Sequence, residues 1–387
     1  MKKIDKVTFI DKIAATYNRY DPKLGVPIID PAMVIEFKIG KKFVYRLNNN
    51  HIDCEGLKKT QEKLVSDFLS LIPLNSVAKA YVSETSYLDF LEPHRNNYFF
   101  VRTDLKNFFH TISINNLKDN FNSYFENDYS SENKKQLLID AFINMVAFKV
   151  PENSDNKKFS GNVILPMGFK TSPVISNIIL RKIDNLIEDY CSRYNIVYTR
   201  YADDMLFSSK INSEPFDNPF TKIFNPNAKP KGIFIHSARF MDEISFIVNI
   251  DGFKINKKKT IKRTNIISIN GYTIEGSNYS DIQGTIRISN KKTNIIEKLI
   301  YEIEKGKSCK YIMMKLFDFK VSKRFFKYHP VKDEHVERYC KDQLNNKIIG
   351  YRSYLISILK YNCKYNCIDN NSIKKYTRLI KLLNKMI

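Results

Sequence analysis

Two apolar runs, Ile196–Arg200 and Met205–Ser208, flank the tetrapeptide Tyr201-Ala202-Asp203-Asp204. Short runs rich in β-branched and aromatic residues read as strands, so this stretch predicts a β-hairpin with charge at its tip. A further acid, Asp104, directly follows Tyr98–Thr103, an aromatic and β-branched run that reads as a buried strand. Each position alone has an ordinary explanation: Asp-Asp is common turn chemistry, and Asp104 could cap a turn over Leu105–Phe109. Taken together, three carboxylates at strand ends need a sheet to carry them and cations to offset them, because like charges held close disfavour ionisation. A divalent ion such as Mg²⁺, which takes carboxylate and phosphate oxygens, suits that need.

The rest of the chain is basic. Lys and Arg number 63 against 41 Asp and Glu, a formal charge of +22. A coding bias toward Lys, Asn and Ile explains part of the lysine excess, but not why acids fail to keep pace. Such a charge points to nucleic acid or an acidic membrane surface, and nucleic acid is the favoured reading. With 43% hydrophobic residues the chain is a folded protein, not a disordered one. No run of about 18 apolar residues occurs, and the N-terminus is broken by Asp5, Lys6, Asp11 and Lys12. A cytoplasmic setting without a membrane partner is expected. The six cysteines are scattered, and only Cys363 and Cys367 are close, so buried reduced thiols are expected rather than a zinc set.

Periodicity predicts helices over 57–73, stopped by Pro73, and over 115–149. Residues 151–162 are polar and turn-rich, a loop. Thr171-Ser172-Pro173 opens a helix to about Tyr194, with a hydroxyl cap and then proline. A proline-bearing insertion occupies 209–232, and a helix follows at 237–248. Strands are expected at 266–269 and 272–274 around Gly271, with helical, basic sequence from Lys291 on. The fold class is α+β. In the last part, Lys291, Lys292, Lys323 and Arg324 are interleaved with Tyr311, Phe317 and Phe325. That pattern suits nucleic-acid binding and a helical bundle with solvated lysine faces about equally.

These segments carry a family resemblance. Tyr201-Ala202-Asp203-Asp204 resembles the Tyr-x-Asp-Asp signature of reverse transcriptases, and Asp104-Leu105-Lys106-Asn107-Phe108-Phe109 resembles their first acidic motif. Leu165-Pro166-Met167-Gly168-Phe169-Lys170-Thr171-Ser172-Pro173, with Ser176-Asn177, is similar to the family's Leu-Pro-x-Gly-x-x-Thr-Ser-Pro-x-x-Ser-Asn segment. Gly252-Phe253 with Asn256 and Lys259-Thr260 resembles the next motif, and Asn270-Gly271 the turn after it. The order and spacing hold over residues 57–275. Within the family the chain looks most like the bacterial retron-type and defence-associated, abortive-infection-like enzymes. Leu57-Lys58-Lys59-Thr60-Gln61 and Ala78-Lys79-Ala80-Tyr81 fit the fingers of that group.

The resemblance implies a right-hand polymerase fold with fingers, a palm built on an antiparallel sheet, and a helical thumb. Residues 1–56 would form an N-terminal arm and the start of the fingers. Residues 57–290 would form interleaved fingers and palm with the insertion near 209–232, and 291–387 the thumb. No added nuclease, maturase or RNase H domain is expected after 387. The implied activity is RNA-directed DNA synthesis by two-metal nucleotidyl transfer, with Mg²⁺ as the ion and Mn²⁺ as the alternative. Asp104, Asp203 and Asp204 would be catalytic and would bind metal with the Leu105 backbone carbonyl, Asp204 more weakly. Leu105, Phe109, Met167, Gly168 and Lys259 would handle the nucleotide. Phe109 would be a steric gate against a 2′-hydroxyl, Gly168 would let the backbone approach the nucleotide, and Lys259 would protonate the leaving pyrophosphate. Lys254, Lys257, Lys258 and Lys262 are near alternatives for that last role. Met167 departs from the Gln of many relatives and cannot donate a hydrogen bond. No pair to grip a triphosphate stands out; Lys41, Lys42 and Arg46 are the nearest basic residues. Tyr201, Lys291, Lys292, Lys323 and Arg324 would contact nucleic acid. The implied partners are an RNA template, the DNA product, dNTPs, a structured non-coding RNA in phage defence, and a homo-oligomer or an effector protein. Template-independent or protein-primed DNA synthesis is the alternative within the enzyme class. A catalytically silent nucleic-acid-binding protein is the alternative outside it.

Overall fold

The computed structural model describes residues 3–40, 42–210, 233–277, 282–320 and 333–387. Residues 211–232 of the expected insertion lie outside them, as do Lys41, Lys323 and Arg324. The chain divides into two compact units. The first comprises Met1–Phe90, Val101–Ser208 and Asn212–Lys262; the second comprises Leu91–Phe100, Ser209–Ile211 and Arg263–Ile387.

In the first unit, a short helix at Lys6–Lys12 precedes an antiparallel pair, β1 (Val34–Ile39) and β2 (Lys42–Leu47). A four-stranded sheet follows from β3 (Phe99–Asp104), β4 (Ile196–Tyr201), β5 (Asp204–Ser209) and β6 (Ile261–Thr264), in the order β4-β5-β3-β6. The predicted hairpin is β4–β5, and β3 ends on Asp104 as expected. The longer helices are α1 (Cys54–Asp67), α2 (Ile114–Phe121), α3 (Leu138–Val146), α4 (Ser172–Ser192) and α5 (Ala238–Asn249). Helix α4 packs on β4 and on α5, and α3 packs on α1 and α2. The core between α1, α2 and α3 is aromatic. Phe68, Phe121, Phe125 and Phe142 meet with ring centroids 5.0 to 6.3 Å apart. Burying each ring contributes roughly 1.5–3 kcal/mol.

Three boundaries differ from expectation. The helix expected over 115–149 is two helices, α2 and α3, separated by a 3₁₀ turn at Asn122–Tyr124 and an irregular stretch. The cause is local competition by side chains: Asn133 Oδ1 accepts from Ser131 Oγ and the Lys135 N–H, and Ser130 Oγ bonds to Gln136. The helix expected over 57–73 begins three residues earlier, at Cys54, and ends at Asp67 before a 3₁₀ turn. At the start of α4, Thr171 holds the cap position without a capping hydrogen bond. Ser172 instead donates to the Pro166 carbonyl at 2.7 Å, which ties the helix to the segment before it.

The second unit contains an antiparallel sheet of β7 (Ile266–Ile269), β8 (Tyr272–Glu275) and β9 (Thr285–Ile288), with β8 central. Four helices follow: α6 (Asn290–Glu304), α7 (Cys309–Phe317), α8 (Asp333–Tyr365) and α9 (Asn370–Asn384). Gly271 turns between β7 and β8 at φ +97°, and the Tyr354 hydroxyl of α8 donates to its carbonyl. Two cysteines depart from the buried thiols expected: Cys363 is exposed and Cys309 half-buried. Cys363 lies on α8, whereas Cys367 lies beyond its end, so the two do not share a helical face. The class is α+β, as the sequence predicts. Among the described residues no helix is long and apolar enough to cross a membrane.

Candidate active site

The site is built on the β4–β5 turn. Ala202 has φ +56°, the left-handed value that a two-residue hairpin turn needs at its first position. Arg200, 1% exposed, holds this turn from behind. Its Nε and Nη2 donate to the two oxygens of Asp184 on α4, at 2.8 and 2.6 Å. Its Nη1 donates to Asn177 Oδ1 at 3.0 Å and to the Ala202 carbonyl at 3.1 Å. The Tyr198 hydroxyl donates to the same Asp184, and Asn177 Nδ2 donates to the Ala80 carbonyl. The buried charges are therefore paired and fully hydrogen-bonded, the condition under which burial is tolerated.

Asp104 comes to the turn from β3. The Leu105 N–H donates to the Asp203 carbonyl at 3.0 Å, and the Asn256 N–H to the Asp104 carbonyl at 2.8 Å. Asp104 is 5% exposed, with Oδ2 2.5 Å from Lys259 Nζ. Its other oxygen, Oδ1, is buried and has no hydrogen-bond partner. The hydrogen bond to Asp104 raises the Lys259 pKa against the opposing effect of burial, and the charges of Asp104, Asp203 and Asp204 add to the rise. Of the five lysines between 254 and 262, Lys259 is the one that reaches Asp104, because the turn Lys257–Lys259 follows directly on the Asn256 bond. Asp203 Oδ2 lies 3.6 Å from Lys42 Nζ at the start of β2.

Asp104, Leu105, Phe109, Met167, Gly168, Asp203 and Lys259 line one cavity of about 800 Å³. Asp204 and Tyr201 are not in its wall. Asp204 is held on the neighbouring strand by Arg102, and the Tyr201 ring packs on Tyr87, with centroids 4.7 Å apart, and on Phe90. Among the described residues no three of His, Cys, Asp and Glu form a ready-made metal cage, although Asp104, Asp203 and Asp204 all act on Lys259. The Arg102 fork occupies both carboxylate oxygens of Asp204. What does suit a cation is the orphaned oxygen of Asp104 beside Asp203. A buried carboxylate oxygen without a partner is costly until a proton or a cation satisfies it.

Phe109 is 8% exposed, its ring 5.1 Å from that of Phe108, and it borders the cavity. Gly168 borders the cavity and also makes room for strand β2. At φ +119°, a Cβ there would lie 2.3 Å from the Tyr45 carbonyl oxygen. The Tyr45 N–H donates to the Met167 carbonyl at 2.7 Å in the same contact. Lys291 and Lys292 begin α6 in the second unit, where Lys292 borders Gly271.

The sequence reading missed Arg102, His110, Asn156, Lys158 and Phe159. Arg102 was legible, because residues two apart on a strand share a face and it stands two before Asp104. Lys158 and Phe159 come from the polar loop, which carries no periodic signal. Nε2 of His110 is buried without a partner, and the ring stands edge-on to Tyr45 and Phe159. Burial, with the charges of Lys158 and Lys42, pushes its pKa down to about 4.

Comparison with known proteins identifies the family. The family described as "Reverse transcriptase (RNA-dependent DNA polymerase)" matches residues 42–275. The chain is similar to the Retron Ec73 reverse transcriptase of Escherichia coli, 30% identical over 207 residues, which are 51% of this chain and 57% of that one. It is also similar to the Retron Ec83 reverse transcriptase of Escherichia coli, 30% identical over 155 residues, 40% of this chain and 46% of that one. The chain thus spans about half the length of these curated relatives. Among solved structures it is similar to telomerase from Candida albicans in complex with a TWJ fragment of telomeric RNA. That likeness has 14% identity and a TM-score of 0.38, over 92% of this chain and 61% of that one.

Proposed function

This chain belongs to the reverse transcriptase family, and from that premise we propose that it extends a DNA strand on an RNA template in the cavity bordered by Asp104 and Asp203. The observation that carries the reading is the orphaned Oδ1 of Asp104, buried in the wall of a cavity that also holds Asp203, Phe109 and Lys259. Asp104, Asp203 and the Leu105 carbonyl would hold divalent cations, Mg²⁺ or alternatively Mn²⁺, with Asp204 contributing less. Those ions would supply positive charge to the phosphates and lower the pKa of the attacking 3′-hydroxyl.

The chain's own residues do the rest. In the reaction the 3′-oxygen bonds to the α-phosphorus and loses its proton to solvent. The α–β bridging oxygen departs with the β- and γ-phosphates as pyrophosphate. Lys259, whose ammonium bonds to Asp104, would give a proton to that leaving group. Lys42 and Lys158 bring two further ammonium groups to the cavity wall and are candidates to bind the triphosphate. The Phe109 ring would crowd a 2′-hydroxyl and so favour deoxynucleotides. Met167 packs against the nucleotide without donating to it. Residues 1–56 serve as arm and first part of the fingers, 57–290 as fingers and palm, and 291–387 as a thumb whose Lys291 and Lys292 meet the nucleic acid backbone. The resemblance to retron enzymes extends the reading to a dedicated structured RNA and a role in phage defence.

Primer extension by the purified chain tests this, with Mg²⁺ and each dNTP or NTP, beside Asp203→Ala. Template-dependent incorporation of dNTPs, lost in the variant, is expected. No product, with the two proteins indistinguishable, would sink the proposal; product without any template would move it to untemplated synthesis.

A further inference from the structure

A second cavity, of about 660 Å³, adjoins the first. The two share Lys106, Asn107, His110, Lys158 and Phe159 in their walls. Beyond the shared wall, the side cavity is bounded by Gly252 and Lys254, by residues 111–115, and by residues 161–164. Among the described residues its lining has three lysines, Lys106, Lys158 and Lys254, and no Asp or Glu.

The three lysines are placed by the fold and not by counter-charges. The Lys106 N–H donates to the Lys254 carbonyl at 2.8 Å, which sets these two residues opposite each other. The Lys158 ammonium lies 5.1 Å from the centre of the Phe159 ring. Among the described residues none of the three enters an ion pair, although Lys42 and Lys259 nearby both do. Like charges lining a concave wall raise its potential and favour a multiply charged anion. The buried, unpartnered Nε2 of His110 stands in the shared wall as a further polar group awaiting a partner. Lysine is a point-charge phosphate binder, and nothing in this wall selects a base: Phe159 is its one aromatic residue besides His110.

We propose that the side cavity is an oligophosphate site that draws pyrophosphate out of the nucleotide cavity after each transfer. The proposal rests on the nucleotidyl-transfer reading of the first cavity. The two cavities share a wall at Lys106 and Asn107, which immediately follow Asp104 and Leu105. An anion leaving that point passes Lys106 and Lys158, which line both cavities, and reaches Lys254, which lines the side cavity only.

Lys254 tests the proposal because it lines the side cavity alone and is exposed, so its replacement leaves the core untouched. Inorganic pyrophosphate binding to the full chain is measured by calorimetry for wild type, Lys254→Arg, Lys254→Ala and Lys254→Glu, with thermal melting to confirm folding. The pyrophosphate concentration that half-inhibits primer extension is measured on the same proteins. Lys254→Glu is expected to weaken pyrophosphate about tenfold in both assays, a loss near 1.4 kcal/mol, and Lys254→Arg to retain binding. The KM for dNTP should move less than the pyrophosphate affinity. Unchanged pyrophosphate affinity in a folded Lys254→Glu protein overturns the site, even where the enzyme extends primers normally. A second dNTP equivalent, bound by wild type and lost in Lys254→Glu, overturns the exit role in favour of a nucleotide site. Lys254-dependent pyrophosphate binding in a protein that extends no primer supports the anion site while the polymerase reading fails.

Discussion

Arg102 grips Asp204 across the sheet, with its Nη2 2.8 and 2.9 Å from the two carboxylate oxygens and its Nε 3.2 Å from the nearer one. A guanidinium fork in this geometry is the strong form of a charge-assisted hydrogen bond. It distinguishes two neighbouring acids: Asp203 borders the cavity, and Asp204 is paired on the strand.

Asp203→Asn should therefore cost more than Asp204→Asn. Removing a carboxylate that meets the reacting phosphates is expected to lower the extension rate by about 10²–10³-fold or more. Asp204→Asn, and Arg102→Met with it, should cost about 10–100-fold, the usual effect of losing a group that orients its neighbour. Single-turnover extension rates over a Mg²⁺ titration would separate the two. Equal losses for Asp203→Asn and Asp204→Asn would refute the division of labour.

The Arg200–Asp184 pair gives a prediction in which stability and activity part company. Arg200→Met alone strands a buried carboxylate and should destabilise the fold by about 3–5 kcal/mol. Adding Asp184→Leu removes the stranded charge and should return most of that stability. It cannot restore the bond from Arg200 to the Ala202 carbonyl, so the double variant should fold yet remain slow. Thermal melts and extension rates on the two proteins check this, and full recovery of activity in the double variant would show that the turn needs no hold from Arg200.

Gly168→Ala should destabilise the first unit by about 1–3 kcal/mol, as strained backbone does. The added methyl would meet the Tyr45 carbonyl 2.3 Å away. Because the Met167–Tyr45 hydrogen bond joins β2 to this segment, moving β2 also moves Lys42. The KM for dNTP should then rise more than kcat falls. A variant with wild-type melting and kinetics would mean that β2 yields without cost.

The β3 and β4–β5 strands and the start of α4 were legible in the sequence, since each is a short run with its own period and its own punctuation. The break between α2 and α3 was hidden because its cause lies in side-chain bonds of Ser130, Ser131 and Asn133, and an apolar count does not register them. At the site, Asp104 and Asp203 were legible as acids at strand ends. The fates of Asp204 and Tyr201 were not, because they are decided by Arg102 and Tyr87, residues far away in sequence. Gly168 was legible as a glycine of consequence, but its partner Tyr45 lies on a strand the sequence reading did not place. His110 and Lys158 became visible only once the polar loop was seen lying against β2.

Two histidines set the response to acid. Burial pushes the pKa of His94 down to about 3, and burial with the charges of Lys158 and Lys42 pushes that of His110 down to about 4. Both values lie below the ordinary value of 6.5. Between those limits the unfolded chain binds protons that the folded chain refuses, so stability rises with pH across the window and is lost as pH falls. Above about pH 7 both states carry neutral imidazoles and the contribution is constant. Each histidine can steepen the fall by about 1.4 kcal/mol per pH unit. Carboxylates also respond to pH in this window, so the histidine share is isolated by difference. His94→Asn should have a shallower decline in melting temperature between pH 6.5 and pH 4 than wild type, with the two curves parallel above pH 7. Curves that stay parallel down to pH 4 would mean that His94 takes up its proton in the folded protein, and the acid response would then belong to the carboxylates.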